Sequence, residues 1–547
     1  MSETAVLDQP EVIAPAPPAP AQLSAPRLAA NSPIWLAFAV SIATFMELLD
    51  TSIANVSLPH IAGSIGASQD EATWVLTSYL VANGVVLPLS GWLSTIIGRK
   101  RFYMACVAIF TASSVLCGLA PSLPLLIFFR VLQGIGGGGL APSEQAILTD
   151  AFPPEKRAQV FSIYGLAVVL APTIGPTLGG WITDNFDWRW IFFINLPVGL
   201  ISLALSARLV HDPPSLIAEK ARLLKNFHVD YIGIGLIALG LGALQVVLDK
   251  GQEDDWLGSR LITTCIVVAA VCIVGAVIYE LRHHQPVLDF TLLADRNFAL
   301  SCLLVFALGF VLFASTVLVP QFLQELISYT ATDAGLVISP GGITVAVLTM
   351  FSARILKRIS ARKVILTGWI IAIVANLTMS HSFDLEITYR WAAEMRIFQA
   401  IGFGLLFVPI STVAYAFIPR PRVNQASALY NLARNLGGSV GISVMTTVIA
   451  RRAQFHQTIL AASLSPSSAR LQNALSILTN SLRTRGFGAN AAAHAQAYIA
   501  FQLARQARLL AYLDSFVVIS ICAVIALPFA LLLRDNKAGN SSAGAAH

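Results

Sequence analysis

Arg130-Val131-Leu132-Gln133-Gly134-Ile135-Gly136 recurs 266 positions later as Arg396-Ile397-Phe398-Gln399-Ala400-Ile401-Gly402. Each copy opens a long apolar segment and puts a guanidinium where hydrocarbon is expected. A second pair, the basic turns Gly98-Arg99-Lys100 and Ala361-Arg362-Lys363, is offset by 263. Two matches at nearly one offset indicate a chain built from duplicated halves. Parallel repeats of this kind place a site between the halves, near the membrane midplane.

Working outward, 56% of the 547 residues are hydrophobic and only 12% are charged. A soluble domain carries about 25% charged residues, so this is an integral membrane protein. A spanning helix needs about 20 mostly apolar residues. Fourteen stretches qualify, near 34–57, 73–96, 102–120, 123–149, 158–182, 190–210, 231–248, 260–281, 297–325, 333–356, 363–381, 391–418, 423–449 and 511–533. The expected fold is an all-α membrane protein of two six-helix bundles with two extra helices inserted between them. Its parts are a disordered cytoplasmic tail (1–32), an N-terminal bundle (33–211), a linker with the two extra helices (212–290), a C-terminal bundle (291–535) and a second cytoplasmic tail (536–547).

Loop charges orient the chain. Arg99-Lys100-Arg101, Lys156-Arg157, Lys220, Arg222, Lys225, Lys357-Arg358 and Arg420 with Arg422 fall on one side. Loop 58–72 has no Lys or Arg, and 249–259 sets Asp249, Glu253, Asp254 and Asp255 against Lys250. The positive-inside rule places both termini in the cytoplasm. The external loop 450–510 is arginine-rich, but long loops translocate regardless of charge. Its leucines at 471, 475, 478 and 482, with Ile477, and a second set at Phe501, Leu503, Leu509 and Leu510, predict two amphipathic helices.

The first span holds two carboxylates, Glu47 and Asp50. A charge at the centre of a membrane helix costs about 2.5–3.5 kcal/mol on insertion scales and marks a functional site by default. Asp50 and Arg130 each lie about seven residues inside the external end of their spans, hence roughly 10 Å deep and at matching depth. A permanently charged guanidinium keeps Asp50 ionised while the two touch. Parting them in apolar surroundings makes the carboxyl take a proton, which is what proton coupling needs. The alternative is a static ion pair that ties two helices together. Glu47 is three residues earlier on the same face. It is open to three roles: a second proton site, an attractor for cationic compounds, or a solvated cavity wall.

Several longer motifs now carry a resemblance. They are Leu49-Asp50-Thr51 with Asn55-Val56 and Leu58-Pro59, Gly91-Trp92-Leu93 to Gly98-Arg99-Lys100, and Arg130 to Gly136. Ala171-Pro172-Thr173-Ile174-Gly175-Pro176-Thr177-Leu178-Gly179-Gly180-Trp181 and Trp188-Arg189-Trp190 to Pro197 complete the set. On these the chain resembles the fourteen-span drug:proton antiporters of the major facilitator superfamily, over nearly its whole length. The resemblance implies that Pro172, Gly175, Pro176, Gly179 and Gly180 form an antiporter motif that packs across the half–half interface and biases the cycle toward export. Packing without directional meaning is the other reading. It also implies gating by Gly91, Gly98, Arg99 and Lys100. The family carries an acidic residue where this chain has Thr95, so that loop lacks the usual carboxylate of its charge relay. In such systems the 450–510 region faces a periplasmic adaptor protein linked to an outer-membrane channel; a self-packed cap is the alternative.

In the second half, Glu394, Arg396, Gln399 and Arg434 are polar residues within spans, and with Glu47 and Gln133 they are the expected substrate cavity. The corresponding first helix, Ala314-Ser315-Thr316-Val317-Leu318-Val319-Pro320, has no acidic counterpart to Asp50. Gly134-Ile135-Gly136-Gly137-Gly138-Gly139 fits GxGxxG, but it follows no strand, so close helix packing explains it. His60, His283 and His284 have no partners at metal spacing, and the six cysteines sit in apolar segments as small hydrophobes. No cofactor, nucleic-acid or enzymatic chemistry is expected. The reading is a proton-driven exporter of hydrophobic or amphipathic compounds in the bacterial inner membrane. A proton-coupled importer of the same superfamily and a non-transporting scaffold are the alternatives.

Overall fold

The structure, a computed structural model, describes residues 33–212, 230–283, 286–419, 422–462, 468–487 and 490–534. Both expected tails, with Lys220, Arg222, Lys225, His284 and Arg420, lie outside these residues.

The first half runs through α1 (Pro33–Ile65), α2 (Gln69–Ile97), α3 (Arg99–Leu119), α4 (Leu123–Gly137), α5 (Leu140–Ala151), α6 (Pro154–Asn185), α7 (Trp190–Phe193) and α8 (Asn195–Leu209). Two further helices follow, α9 (Tyr231–Lys250) and α10 (Arg260–Arg282). The second half comprises α11 (Arg296–Glu325), α12 (Ala331–Arg358), α13 (Ala361–Ser382), α14 (Tyr389–Ala414), α15 (Val423–Ala462), α16 (Ala469–Thr484) and α17 (Ala491–Leu531). The pairs α4–α5 and α7–α8 each form one span, and among the described residues twelve helices are long and apolar enough to cross a membrane. Bent α6 is a thirteenth. The fourteenth is α15, whose first half is diluted by Asn424, Asn431, Arg434 and Asn435 because it lies buried in the bundle rather than facing lipid.

Local chemistry sets the ends and bends. Ser68 with Glu71 and Thr330 with Asp333 form capping boxes at the starts of α2 and α12. In α6, Pro176 has no N–H for the carbonyl of Pro172, and Ser52 Oγ on α1 donates to that carbonyl at 3.4 Å. The helix bends by 41° there, between Lys156–Pro172 and Ile174–Asn185. The glycine run between α4 and α5 serves close packing. A Cβ at Gly136 would stand 2.6 Å from Phe110 N, and one at Gly138 2.6 Å from Asn83 O.

The glycines of α6 face a different neighbour from the one expected. A Cβ at Gly175 would collide with Ser52, and one at Gly179 would meet Ile53 Cγ2 at 3.0 Å, so both pack against α1 inside the first half. The α6–α12 contact across the interface is made instead by Gly335 of α12 against Thr177. Gly165 of α6, outside the motif, also faces the second half, where a Cβ would meet Thr349 Cγ2 at 3.1 Å. A second interface contact lies at the basic-turn side. There Arg157 Nη1 donates to Tyr415 O at 2.9 Å, and Gln145 Oε1 accepts from Tyr415 Oη at 2.6 Å and Asn431 Nδ2 at 2.8 Å.

The inserted helices sit at the rim. α9 rests on α2, where Asp249 accepts from Thr77 and Lys250 donates to Thr73, while Gln245 Oε1 accepts from Ser439 Oγ of α15 at 3.1 Å. α10 presents Val267, Val271 and Val274 outward.

The region expected as a loop with two separate helices is built differently. α15 and α17 run for 40 and 41 residues, about 60 Å each against a hydrocarbon core of about 30 Å, so both continue beyond the membrane. Phe501, Leu503, Leu509 and Leu510 lie in α17 itself rather than in a separate helix. α16 is the amphipathic helix expected around Leu471–Leu482, with Leu471, Leu475, Leu478 and Leu482 half-buried. Arg452 Nε donates to Asp514 Oδ2 at 2.6 Å and His456 Nε2 lies 2.7 Å from the same oxygen, tying the two rods together.

Candidate transport site

Asp50 projects from the middle of α1, where Arg130 and Gln133 of α4 and Asn195 of α8 converge on it. Arg130 Nη1 donates to Asp50 Oδ2 at 2.6 Å, with side-chain exposures of 0% and 1%. Asp50 Oδ1 accepts from Asn195 Nδ2 at 2.7 Å and Gln133 Nε2 at 3.0 Å. Arg130 Nε donates to Val75 O at 3.0 Å, and its guanidinium lies 4.4 Å from the centre of the Tyr79 ring. The charge pair is thus dressed on both sides, as a buried pair must be if attraction is to offset desolvation. Gln133, expected in the substrate cavity, belongs to this cluster through its i, i+3 spacing from Arg130.

Glu47, one turn along α1, has different partners. Its Oε1 accepts from Asn83 Nδ2 at 2.8 Å and Tyr79 Oη at 3.4 Å. Tyr79 therefore touches both the guanidinium and the second carboxylate. A third buried carboxylate escaped the sequence reading. Glu144 of α5 is 0% exposed, accepts from Ser41 Oγ, and leaves Oε2 without a hydrogen-bond partner. Its signal was available: an acidic residue in the second half of a 29-residue apolar span. Asn195, Asn83 and Tyr79 carried no such signal.

The second half repeats the frame with other chemistry. Arg396 donates through Nη1 to Ser315 Oγ at 3.2 Å and to Gln399 Oε1, and through Nη2 to Thr316 Oγ1 at 3.4 Å. Gln399 Nε2 donates to Asn376 Oδ1 at 2.8 Å. Arg434 of α15 is buried at the interface and donates to Tyr164 Oη of α6 at 2.5 Å. Glu394 lies apart from these groups. It is half-exposed near the start of α14 and accepts from Arg390 Nε at 2.7 Å.

At the basic turn, Gly98 has φ 101°, a conformation that favours glycine. Arg99 is buried and donates to Asp150 Oδ2 at 2.6 Å, so α5 supplies this turn's carboxylate. Thr95 accepts from Asn424 Nδ2 at 3.2 Å, and a Cβ at Gly91 would stand 2.9 Å from Asn424 O. Lys100 Nζ donates to Ala207 O at 2.6 Å.

Between α6 and the second half's α11, α12 and α14 lies a narrow cleft with room for about one water, ≈ 20 Å³. Arg396 is the charged residue in its wall. Among the described residues no group of three His, Cys, Asp or Glu is placed to hold a metal ion.

The profile of the Major Facilitator Superfamily matches residues 40–442. The chain belongs to the major facilitator superfamily. Its relatives in that superfamily include the multidrug export protein EmrB of Haemophilus influenzae, 38% identical over 441 residues covering 81% of this chain and 85% of the relative. EmrB of Escherichia coli is 36% identical over 80% of this chain and 84% of its own. The fatty acid resistance protein FarB of Neisseria gonorrhoeae is 35% identical over 83% and 90%. A double-tryptophan mutant of XylE matches with a TM-score of 0.61 at 13% identity, over 92% of this chain and 96% of that one, a likeness of fold alone. The chain is an EmrB-like multi-pass membrane transporter of this superfamily and not an enzyme.

Proposed function

We propose that this transporter exports hydrophobic or amphipathic compounds in exchange for protons, with the Asp50–Arg130 pair as the coupling element. The observation that carries the reading is a carboxylate 1% exposed whose oxygens both meet donors, one of them a guanidinium at 2.6 Å. Its donors come from α4 and α8, and α1 also packs on bent α6, which touches the second half. Rocking of the halves about that contact shifts α1 against α4. Once Asp50 leaves Arg130 it takes a proton from the side then open, and on return it releases that proton to the other. Substrate travels the opposite way. Relatives named for multidrug export and fatty acid resistance support the direction.

In this reading the domains divide at 33–211, 212–290 and 291–535. Both termini are cytoplasmic in a bacterial inner membrane, and the protruding α15–α16–α17 region, 450–510, meets a periplasmic adaptor that leads to an outer-membrane channel. The test uses proteoliposomes with an imposed proton gradient and a fluorescent amphipathic substrate. Wild type extrudes substrate against the gradient and Asp50→Asn does not. Proton-driven uptake instead of extrusion establishes the importer, and full activity in Asp50→Asn removes Asp50 from the coupling.

A further inference from the structure

The two inserted helices hold a pair of acids that the proposed transport cycle does not use. Asp230, at the start of α9, is 4% exposed, and Glu280, near the end of α10, is 3% exposed. Both lie at the basic-turn end of the helix pair. One oxygen of each is taken by the backbone. Asp230 Oδ1 accepts from Gly233 N at 2.8 Å, which caps α9, and Glu280 Oε2 accepts from Val287 N at 2.8 Å. The other oxygens, Asp230 Oδ2 and Glu280 Oε1, are buried without a hydrogen-bond partner. Neither acid joins an ion pair among the described residues.

The two orphaned oxygens converge. A Cβ at Gly233 would stand 2.4 Å from each of them, so they lie at most twice that distance apart. Glycine keeps the place between them clear. The hydroxyl of Tyr279 stands beside Asp230 as a further oxygen. Two carboxylates this close repel, and a buried charge without a partner is costly. The backbone donors hold both acids in place all the same. Ligand oxygens that face inward, with hydrogen bonds fixing them from behind, are the arrangement of a cation site. The donors are oxygen alone, which suits a hard cation. Mg²⁺ takes oxygens at about 2.0–2.1 Å and Ca²⁺ at about 2.3–2.6 Å, and one or two carboxylates with waters suffice for Mg²⁺.

We propose that Asp230 and Glu280 bind a hard divalent cation, Mg²⁺ or Ca²⁺, between α9 and α10. A divalent ion cancels both charges, whereas a monovalent one leaves half of the repulsion uncompensated. Bound there, the ion clamps the two inserted helices together at their basic-turn end. α9 in turn touches Thr77 of α2 in the first half and Ser439 of α15 in the second. The clamp therefore steadies the helix that lies across the seam between the halves. The site is independent of the substrate and direction of transport.

For the test, full-length protein in nanodiscs of a zwitterionic lipid is stripped with EDTA. It is then titrated with MgCl₂ or CaCl₂ against NaCl at matched ionic strength, with binding read by calorimetry and by thermal unfolding. Wild type is expected to bind one divalent ion saturably and to unfold at a higher temperature, with no such response to NaCl. Asp230→Asn and Glu280→Gln keep the oxygens that the backbone N–H groups use and remove one charge. Each should lose the saturable binding, and each should unfold above the EDTA-stripped wild type because the repulsion is gone. Wild-type binding in either variant overturns the proposal, as does a wild type that binds neither cation. A wild type stabilised only by falling pH holds a proton shared between two carboxyls, which overturns it equally. Should the charge-removing variants fail to fold, Gly233→Ala decides. Its methyl group fills the place between the oxygens while both acids remain, so binding must fall, and undiminished binding there overturns the proposal.

Discussion

The two halves place an arginine and a glutamine at equivalent positions and then part company over what faces them. In the first half Asp50 sits on Arg130, and Gln133 and Asn195 complete its hydrogen bonds. In the second half Ser315 and Thr316 occupy the corresponding part of α11, and Arg396 keeps an unmatched charge beside a cleft. One repeat has become a closed pair, the proposed proton-coupling element; the other carries a buried arginine whose partners are neutral. Duplication supplied two copies of one scaffold, and in the proposed cycle a single side chain on the first helix of each sets the two apart.

Removing that side chain is the strongest test of the comparison. Asp50→Asn is expected to cut proton-driven efflux by about 100-fold or more, the scale of losing a proton-transfer group, while the protein level in the membrane persists. Arg130→Gln, which leaves Asp50 buried without its cation, is expected to cost about 3–5 kcal/mol, read as a drop in thermal unfolding temperature. Thr316→Asp turns the second half into a copy of the first, and the new pair with Arg396 should raise the thermal unfolding temperature. Gly175→Leu wedges a side chain between α6 and α1, an overpacking cost of about 1–3 kcal/mol, and should stall transport with membrane insertion intact. Asn195→Leu takes one donor from Asp50, an effect of about 1–3 kcal/mol, and should slow efflux less than Asp50→Asn in the same vesicles.

Much of this contrast in residues was legible before any coordinates. Counting residues inward from the span ends placed Asp50 and Arg130 at one depth, because a membrane fixes where helices begin and their rise is constant. The repeat located Arg396 for the same reason, and the absence of an acid in α11 is a plain reading of 314–320. The prolines of α6 announced its bend through a hydrogen bond they cannot make. What stayed hidden depends on which way a helix faces. Gly175 and Gly179 face α1 rather than α12, Gln133 faces Asp50 rather than the cleft, and Glu394 faces solvent with Arg390. Asn195 and Asn83 are ordinary residues until folding brings them to a carboxylate from more than 30 positions away. The span at 423–449 was legible despite the polar first half of α15; what was not legible is its continuation as one helix to Ala462, where the sequence suggested a loop.

The rods formed by α15 and α17 carry one mechanical consequence. A helix that leaves the membrane without a break acts as a stiff lever, and these two are clamped to each other at Arg452 and Asp514. If the second half tilts by about 10° during the cycle, a tip roughly 30 Å above the membrane sweeps about 5 Å, several times the displacement near the pivot. In the proposed cycle the opening and closing of the site is thereby amplified into a movement beyond the membrane surface.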